Sequence, residues 1–303
     1  MGARMYTRIV VPLDGSVTAE AVLPYAEAFA SGFKTSVELI SVIDIGAMTT
    51  YLAADKVHNL DAIVATEEKN CARYLAEVAK IFSRFPTECR IVRGTPAETI
   101  LETTSKDRDT LIAMATHGRS GAKRWLLGSV AEKVLRGTTN PVFLVRAASA
   151  KASPRGIIDS IVVPLDGSSL SERILPIVSN WAHALDVEVT LIRAFELPAS
   201  AYYRNEDYLP DYDALREKAR KEAADYLREK ADSLIGAGVR TVSTLTIEGP
   251  AAAEIISYAQ TAPRAVFAMS SHGRSGVRRW ILGSVTEKVV RHGDDPVLVV
   301  RGE

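Results

Sequence analysis

Short apolar runs alternate along the chain with segments in which apolar residues recur every three or four positions. RIVVPL (Arg8 to Leu13), VELISVI (Val37 to Ile43) and TLIAMA (Thr110 to Ala115) are apolar runs of strand length, which predicts buried strands. Helical spacing is present in ATEEKNCARYLAEVAKIF (Ala65 to Phe82) and in PAETILETTSK, which has Pro96 in its first turn. The chain between the second strand and the helix at Ala65 is predicted to be a loop.

Four further segments complete this first series. TAEAVLPYAEAFASG has helical spacing, and Pro24 inside it predicts either a kink or a late helix start. ECRIVRG and PVFLVR are predicted strands, and SVAEKVLRG is a predicted helix with Gly137 past its end. Strands that alternate with helices in this way predict an α/β fold, in which a parallel sheet is covered by helices on both faces.

The second half of the chain repeats the first. The segment IVVPLDGS at Ile9–Ser16 recurs letter for letter at Ile161–Ser168, an offset of 152 (161 − 9). His117–Arg146 and His272–Arg301 are identical at 19 of 30 positions, at an offset of 155 (272 − 117). A repeat of this length is a duplicated domain rather than a short solenoid unit. The difference between the offsets predicts a net insertion of three residues in the middle of the second copy, between Leu197 and Val242.

The second copy keeps the same order of elements. Its predicted strands and helices are SIVVPL, VEVTLIRAF, EKARKEAADYLREKADSL, TVSTLTIEG, AAAEIISYAQ, AVFAMS, SVTEKVVR and PVLVVR. AYYRNEDYLPDYDALREK, from Ala201, is predicted to be an exposed connection, with a lid or a dimer contact formed by its tyrosines and acids as the alternatives. AASAKASPRG (Ala147 to Gly156) is polar and rich in small residues, as is typical of a linker. We therefore predict two domains, residues 1–146 and 158–303, joined by a linker at 147–157.

Composition and charge narrow the class of protein. The chain of 303 residues is 47% hydrophobic and has 37 basic and 37 acidic residues, so its overall charge favours neither a nucleic acid nor a membrane surface as partner. No apolar run approaches a membrane span, and the N-terminus lacks the apolar region of a signal peptide. Cys71 and Cys89 have neither CxxC spacing nor a matching His cluster, so no disulfide framework and no metal site are predicted. These observations predict a cytoplasmic protein.

The motif THGRSGAKRWLLGSVAEKV follows a strand, at the edge of the sheet where ligands of parallel α/β proteins bind. Gly118 and Gly121 allow a tight turn and a close approach to a ligand, and Arg119 supplies a positive fork suited to phosphate. Gly128-Ser129 begin a helix that reads Ser-Val-Ala-Glu, which predicts a capping box and the positive end of a helix dipole. The second copy, SHGRSGVRRWILGSVTEKV, has the same features. Nine residues join Gly118 to Gly128, more than a plain connection needs, which favours a function for the loop.

Structural roles explain the same residues without a ligand. Glycines after a strand and a capping box before a helix are typical of any strand-to-helix connection. Asp14 and Asp166 are suited either to accept hydrogen bonds from the backbone of the turn or to accept them from a ligand. The chain contains no P-loop, no dinucleotide fingerprint and no nucleophile elbow. No carboxylate is assigned to orient His117 or His272, so a turn or ligand contact is favoured over a general base, and no catalytic residue is predicted.

At these residues both copies resemble the universal stress protein family, and the whole chain resembles its tandem form. The family's fold is a Rossmann-like adenine-nucleotide-binding domain with a five-stranded parallel sheet of order 3-2-1-4-5, so the resemblance implies two copies of it. Nucleotide-binding members carry G-x2-G-x9-G-[ST] after the fourth strand. The motif matches from its second glycine onward, at Gly118 to Gly128-Ser129 and at Gly273 to Gly283-Ser284.

The resemblance implies nucleotide contacts at equivalent positions of the two copies. In the first copy they are Pro12, Leu13, Asp14, Val42, Ala115, His117, Gly118, Arg119, Gly121, Gly128, Ser129 and Val130. In the second copy they are Pro164, Leu165, Asp166, Ala194, Ser270, His272, Gly273, Arg274, Gly276, Gly283, Ser284 and Val285. The family's aspartate after the first strand matches Asp14 and Asp166, and its residue against adenine matches Val42 and Ala194.

The chain departs from the motif at its first glycine, which is Ala115 in one copy and Ser270 in the other. A Cβ at this position narrows the space over the nucleotide and is expected to weaken binding. Ala194 in place of Val42 removes apolar contact with a base. We therefore expect either that the two sites differ in affinity or that one of them is empty, with the first site favoured.

The resemblance implies a tandem universal stress protein that binds ATP, with Mg²⁺ on the phosphates, and acts as a nucleotide-dependent regulatory module of a stress response. One alternative is a slow ATP hydrolase or phosphotransferase that uses His117 or His272, and another is a nucleotide-free scaffold. The final strands, PVFLVR and PVLVVR, resemble the family's dimerising edge strands. This implies that the two copies pair within the chain, and a homodimer of whole chains is the further assembly to test.

Overall fold

The structure is a computed structural model that describes residues 5–51, 60–116, 127–146, 155–197, 211–271 and 282–301. The chain divides into two units between Ile157 and Ile158, and Asp294–Arg301 is grouped with the first unit. The domain limits at residues 146 and 158 stay predictions.

The first unit is built on a parallel sheet. Its strands are β1 (Arg8–Pro12), β2 (Ser36–Ile43), β3 (Thr87–Arg93), β4 (Thr110–Ala115) and β5 (Val142–Val145). They lie in the order β3-β2-β1-β4-β5, and each of these neighbours pairs in parallel. The predicted order 3-2-1-4-5 is therefore confirmed in this unit. Because the order reverses between β1 and β4, the crevice expected to take a ligand lies at their carboxyl ends.

Helices connect these strands as the alternating pattern predicts. They are α1 (Leu23–Phe33), α2 (Ile45–Tyr51), α3 (Leu60–Ala79), α4 (Pro96–Thr104) and α5 (Ser129–Gly137). Pro24 lies in the first turn of α1, after a 3-10 turn at Ala19–Val22, so the late helix start is confirmed. The loop predicted after β2 is partly wrong, because it contains α2 and because α3 begins five residues before Ala65 (65 − 60). Gly137 is the last residue of α5 and not the residue after it.

The second unit has the same design. Its strands are β6 (Ser160–Pro164), β7 (Glu188–Phe195), β8 (Val242–Glu248) and β9 (Ala265–Ser270). Its helices are α6 (Ser169–Glu172), α7 (Leu175–Leu185), α8 (Tyr212–Gly236), α9 (Ala251–Ala259) and α10 (Ser284–His292). The strand order is β8-β7-β6-β9, all parallel, which repeats the first four positions of the other sheet. The last strand, β10 (Val297–Val300), is grouped with the first unit and runs antiparallel to β5.

The inserted residues of the second copy lie at the end of its long helix. The fully buried Leu75 of α3 and Leu227 of α8 match at an offset of 152 (227 − 75), whereas strands β3 and β8 begin at an offset of 155 (242 − 87). The exposed connection predicted from Ala201 is wrong from Tyr212 onward, because α8 begins there with the Asp211 carboxylate accepting from the Ala214 N–H at 2.9 Å. Residues 201–210 lie outside the described residues.

Buried apolar side chains form the core of the first repeat and hold the central strand between its helices. Ile9, Val10 and Val11 of β1 are fully buried, as expected of a strand covered on both faces. Phe29 of α1 packs edge-on against Phe143 of β5 at 4.6 Å between ring centroids. Within the described ranges, no helix is both long and apolar enough to cross a membrane.

Candidate functional site

A tight turn follows the first strand of each repeat. The Asp14 carboxylate accepts from the Ser16 N–H at 3.0 Å and from the Ser16 hydroxyl at 2.6 Å. The Asp166 carboxylate makes the same two bonds with Ser168, at 2.9 and 2.6 Å. The turn needs a left-handed residue, which Gly15 supplies at φ 78°. The structural role predicted for the two aspartates is therefore confirmed, and it holds each carboxylate at the carboxyl end of the central strand.

The second wall of the site is a helix start tied to the neighbouring strand end. The Gly128 N–H donates to the Thr116 carbonyl at 2.5 Å, and the Gly283 N–H donates to the Ser271 carbonyl at 2.6 Å. Each bond joins the two ends of the long loop at its base. The start of α5 or α10 is thereby held beside the end of β4 or β9.

The predicted capping box is wrong. Gly128 is the N-cap of α5 and Ser129 is its first helical residue, so the serine is one position too late to cap. The Glu132 carboxylate accepts from the Arg136 guanidinium at 2.9 Å, a pair that lies one turn along the helix. In α10, Gly283 is likewise the N-cap, and Glu287 pairs with Arg291. No N-cap side chain binds the first N–H groups of either helix, which suits these helix starts to an anion.

A cavity of about 270 Å³ lies between the two walls in the first repeat. The predicted contact residues that line it are Pro12, Leu13, Asp14, Val42, Ala115, Gly128, Ser129 and Val130. The second repeat has an equivalent cavity of about 310 Å³. The predicted contact residues that line that one are Pro164, Leu165, Asp166, Ala194, Ser270, Gly283, Ser284 and Val285. The structure thus brings together every predicted contact residue that it describes, and their role in binding stays a prediction.

The other predicted contact residues belong to the long loops, which are not among the described residues. His117, Gly118, Arg119, Gly121, His272, Gly273, Arg274 and Gly276 lie outside the described residues. Their roles stay predictions.

Sequence reasoning missed the apolar walls of the cavities. Ile40, Ile100 and Met114 line the first, and Ile192, Ile255 and Met269 occupy the same places in the second. Two signals could have found them. Ile40 lies two residues before Val42 and so faces the same side of β2, and Ile100 lies four residues after Pro96 on the same face of α4. These walls suit a flat apolar group, and the helix start suits a negative one.

A cluster of charged side chains lies near the Asp166 turn of the second repeat, where the Arg193 guanidinium approaches Gly167. The Arg193 guanidinium lies over the Tyr226 ring at 4.5 Å, and the Tyr226 hydroxyl donates to Glu172 at 2.9 Å. Burial, together with the Glu172 carboxylate, raises the pKa of Tyr226, so its hydroxyl keeps the proton that it donates. Lys230 pairs with Glu172 at 3.1 Å. Among the described residues, no group of three or more His, Cys, Asp or Glu side chains is placed to hold a metal ion.

Comparison with known proteins identifies the family. The sequence model of the universal stress protein family matches residues 5–146 and again residues 158–301. The universal stress protein MJ0531 of Methanocaldococcus jannaschii is 30% identical over 146 residues, which are 48% of this chain and 85% of that protein. The universal stress protein Rv2005c of Mycobacterium tuberculosis is 24% identical over 309 residues, covering 97% of this chain and 96% of its own. The chain belongs to the universal stress protein family, with two copies of its domain.

A solved structure supports the same fold. A universal stress protein from Archaeoglobus fulgidus superposes with a TM-score of 0.67 at 22% identity, over 98% of this chain and 99% of that one. Together with the strand order, this confirms the predicted Rossmann-like α/β class.

Proposed function

We propose that the chain binds ATP, with Mg²⁺ on the phosphates, in the cavity of each repeat and acts as a nucleotide-dependent regulatory module of a stress response in the cytoplasm. The observation that carries the proposal is the pairing, in each cavity, of apolar walls with a helix start that has no side-chain cap. An adenine nucleotide has the matching pair of properties, since it joins a flat base to a chain of phosphates.

The base and sugar have suitable neighbours in the first cavity. Val42, Ile40 and Met114 supply apolar contact for a base. Asp14 places a carboxylate acceptor at the same wall, where a sugar hydroxyl can donate to it. The volume of the second cavity, about 310 Å³, lies at the lower end of the range for small-molecule sites, roughly 300–1,000 Å³, and that of the first, about 270 Å³, lies just below it.

The phosphates have a suitable neighbour in the helix start. The N–H groups of Ser129 and Val130 begin α5, and its dipole adds a partial positive charge there. Since no cluster of metal ligands is present in the described part of the chain, Mg²⁺ would be held mainly by the phosphates and by water.

Thermal unfolding tests the proposal directly. The purified chain is melted alone, with MgCl2, with Mg-ATP and with Mg-GTP. Mg-ATP at 100 times its Kd is expected to stabilise the occupied repeat by about 2.7 kcal/mol and to raise its melting temperature, whereas MgCl2 alone is expected to have little effect. Mass analysis of ligand released from denatured protein identifies any nucleotide that co-purifies. No shift with any nucleotide, and none recovered, would contradict the proposal and favour a nucleotide-free scaffold.

Hydrolysis separates the binding module from the enzyme alternative. We expect ATP incubated with the protein to yield ADP slowly or not at all. Rapid turnover that is lost on His117→Ala or His272→Ala would favour a hydrolase or phosphotransferase instead. Turnover that survives both changes would belong to a contaminant.

We also propose that the two repeats pair through their final strands. The antiparallel pairing of β10 with β5, from Val297↔Leu144 to Val299↔Val142, supports this arrangement. Light scattering on the purified chain tests the further homodimer. A mass near 32.8 kDa would indicate that pairing within one chain suffices, and twice that mass would indicate a homodimer of whole chains.

A further inference from the structure

Three alanines that line the first cavity are replaced by hydroxyl residues in the second. The replacements are Ser171 for Ala19, Ser270 for Ala115 and Thr286 for Ala131. Other lining positions keep the same residue, as in Ile192 for Ile40 and Met269 for Met114. The two cavities therefore share much of their apolar wall and differ in hydrogen-bonding capacity.

Two of the three hydroxyls are used inside the protein. The Ser171 hydroxyl donates to the Ser168 carbonyl at 2.9 Å, within the turn that follows β6. The Thr286 hydroxyl donates to the Ser270 carbonyl at 2.9 Å, which ties the first turn of α10 to the end of β9. These bonds position the walls of the second cavity, and Ala19 and Ala131 can make neither of them in the first.

The third hydroxyl, that of Ser270, makes no such hydrogen bond among the described residues. Ser270 is only 7% exposed, and its Oγ is buried with no hydrogen-bond partner among the described residues. A buried hydroxyl without a partner is costly, so its retention in a binding cavity points to a partner that is supplied by the ligand.

The place of Ser270 indicates which part of a ligand it meets. On one side, Ile192 and Ala194 form the apolar wall suited to a base. On the other side, the Ser271 carbonyl binds the Gly283 N–H at the start of α10, which is suited to phosphate. Ser270 lines the same cavity as the apolar wall and directly precedes Ser271, so we expect it to meet the part of a ligand that joins a base to its phosphates.

We propose that Ser270 sets the affinity and selectivity of the second cavity through a hydrogen bond between its hydroxyl and an oxygen in the sugar–phosphate part of the ligand. The inference rests on the proposed nucleotide binding and reverses the expectation, drawn from the loss of the motif's glycine and of Val42, that the first site binds more tightly. The second cavity is the selective one.

Photo-cross-linking of the full chain with 8-azido-ATP tests this, because peptide mapping then measures labelling of each cavity separately. ATP, 2′-deoxy-ATP and adenosine compete against the probe. In Ser270→Ala, the ATP concentration needed to block labelling of the second cavity is expected to rise at least about fivefold, and that for the first cavity to stay unchanged. Unchanged competition at the second cavity would overturn the inference.

The competitors distinguish the two kinds of oxygen. If the partner is the 2′-hydroxyl, the preference for ATP over 2′-deoxy-ATP disappears in the variant. If the partner is a phosphate oxygen, the preference for ATP over adenosine shrinks instead, and the loss of affinity exceeds about tenfold because the bond is made to a charged group.

Ala115→Ser is the matched variant in the first cavity. It is expected to strengthen ATP competition there, toward the value of the second cavity. Weaker competition at the first cavity would contradict the inference.

A melting curve without ligand separates binding from a structural role. Ser270→Ala removes a hydroxyl that has no partner, so the ligand-free melting temperature is expected to stay equal or to rise. A lower melting temperature together with weaker binding would indicate a structural role and overturn the inference. Failure of 8-azido-ATP to label either cavity of the unaltered chain would refute the proposed function itself.

Discussion

The two repeats share one backbone frame and differ in where charged side chains cluster along the strands. In the first repeat, the buried Glu38 carboxylate near the amino end of β2 lies 2.6 Å from the Arg8 guanidinium and 3.4 Å from that of Arg90. The second repeat has Ser160, Thr190 and Leu245 at the equivalent positions of the same strand register. The ion-pair network thus belongs to the first repeat and lies away from its cavity.

In the second repeat, charge is concentrated at the carboxyl end. Arg193, Tyr226 and Lys230 stand where the first repeat has Ser41, Tyr74 and Val78. The Arg193 guanidinium comes within 3.1 Å of the place where a Cβ on Gly167 would lie, in the turn that holds Asp166. This cluster therefore lies beside the turn that carries Asp166, a lining residue of the second cavity, on the edge of the sheet where α/β proteins bind.

The comparison shows that the same backbone fold accommodates charged side chains at different positions, provided that neighbouring residues pair with them. Five charged residues of these two clusters have a neutral counterpart in the other repeat, which gives the chain a control of its own, and they are Arg8, Glu38, Arg90, Arg193 and Lys230. A charge at the amino ends of the strands is expected to affect stability alone. A charge at the carboxyl ends is expected to affect the surroundings of the cavity.

The largest effect is expected from Glu38→Ala. The change removes the carboxylate partner of the part-buried Arg8 guanidinium, which keeps its bonds to the Thr103 carbonyl and the Thr110 hydroxyl. We therefore expect a cost of about 3 kcal/mol, at the lower end for a broken buried pair. Denaturant unfolding of the purified chain should show the transition of the first repeat moving to lower denaturant.

Thr190→Ala is the matched control for this change. It removes a half-buried hydroxyl at the same register position, and we expect it to cost less than about 1 kcal/mol. Equal losses in the two variants would show that the network around Glu38 contributes nothing beyond packing.

A second contrast concerns the residue before the last proline of each repeat. Asn140 is buried and its amide donates to the Asp107 carbonyl at 2.7 Å and to the Thr110 carbonyl at 3.2 Å. The equivalent residue, at an offset of 155, is Asp295, which cannot donate when ionised. Burial, with the nearby Asp294 carboxylate, raises the pKa of Asp295 from 3.8 to about 6.

Asp295→Asn is therefore expected to stabilise the protein in a pH-dependent way. In the unaltered protein, a carboxyl whose pKa is raised in the folded state opposes folding once it is ionised. The unaltered protein therefore keeps its full stability below pH 3.8 and loses part of it as the pH rises to about 6, and the asparagine of the variant cannot ionise and so avoids this loss. The variant is expected to gain about 2 kcal/mol at pH 8 and almost nothing at pH 4. Denaturant unfolding at the two pH values measures the gain. The same gain at both would contradict the assigned cause.

Much of the fold could be predicted from the sequence because the strands are buried on both faces. Ile9–Val11 in β1 and the whole of β4 form apolar runs that only a covered strand explains, and the Asp-Gly-Ser turn marks where β1 ends. The internal repeat then allowed the same order of strands and helices to be predicted for the second copy.

The errors arose where a local choice depends on neighbours in space. The described part of helix α2, Ile45–Tyr51, has too few turns for a periodic signal. The capping box was predicted because serine is a favoured N-cap residue. In the structure Gly128, whose N–H binds the Thr116 carbonyl, is the N-cap, so the helix begins one residue earlier than predicted. Glu132 then had Arg136 as a partner at a spacing that also stabilises a helix. Sequence alone does not rank these alternatives.

The smallest effect is expected from Arg193→Ser, which gives the second repeat the residue of the first. The change removes the guanidinium from the Tyr226 ring, and a part-exposed cation–π contact contributes about 0.5–1 kcal/mol. Arg220→Ser, which removes an exposed guanidinium paired with Glu217 on the same helix α8, should leave stability unchanged within error. Denaturant unfolding of both variants measures the difference. If both variants lose the same stability, the contact of Arg193 with Tyr226 contributes no more than a surface ion pair. The positive charge of Arg193 would then be expected to affect ligand binding rather than stability.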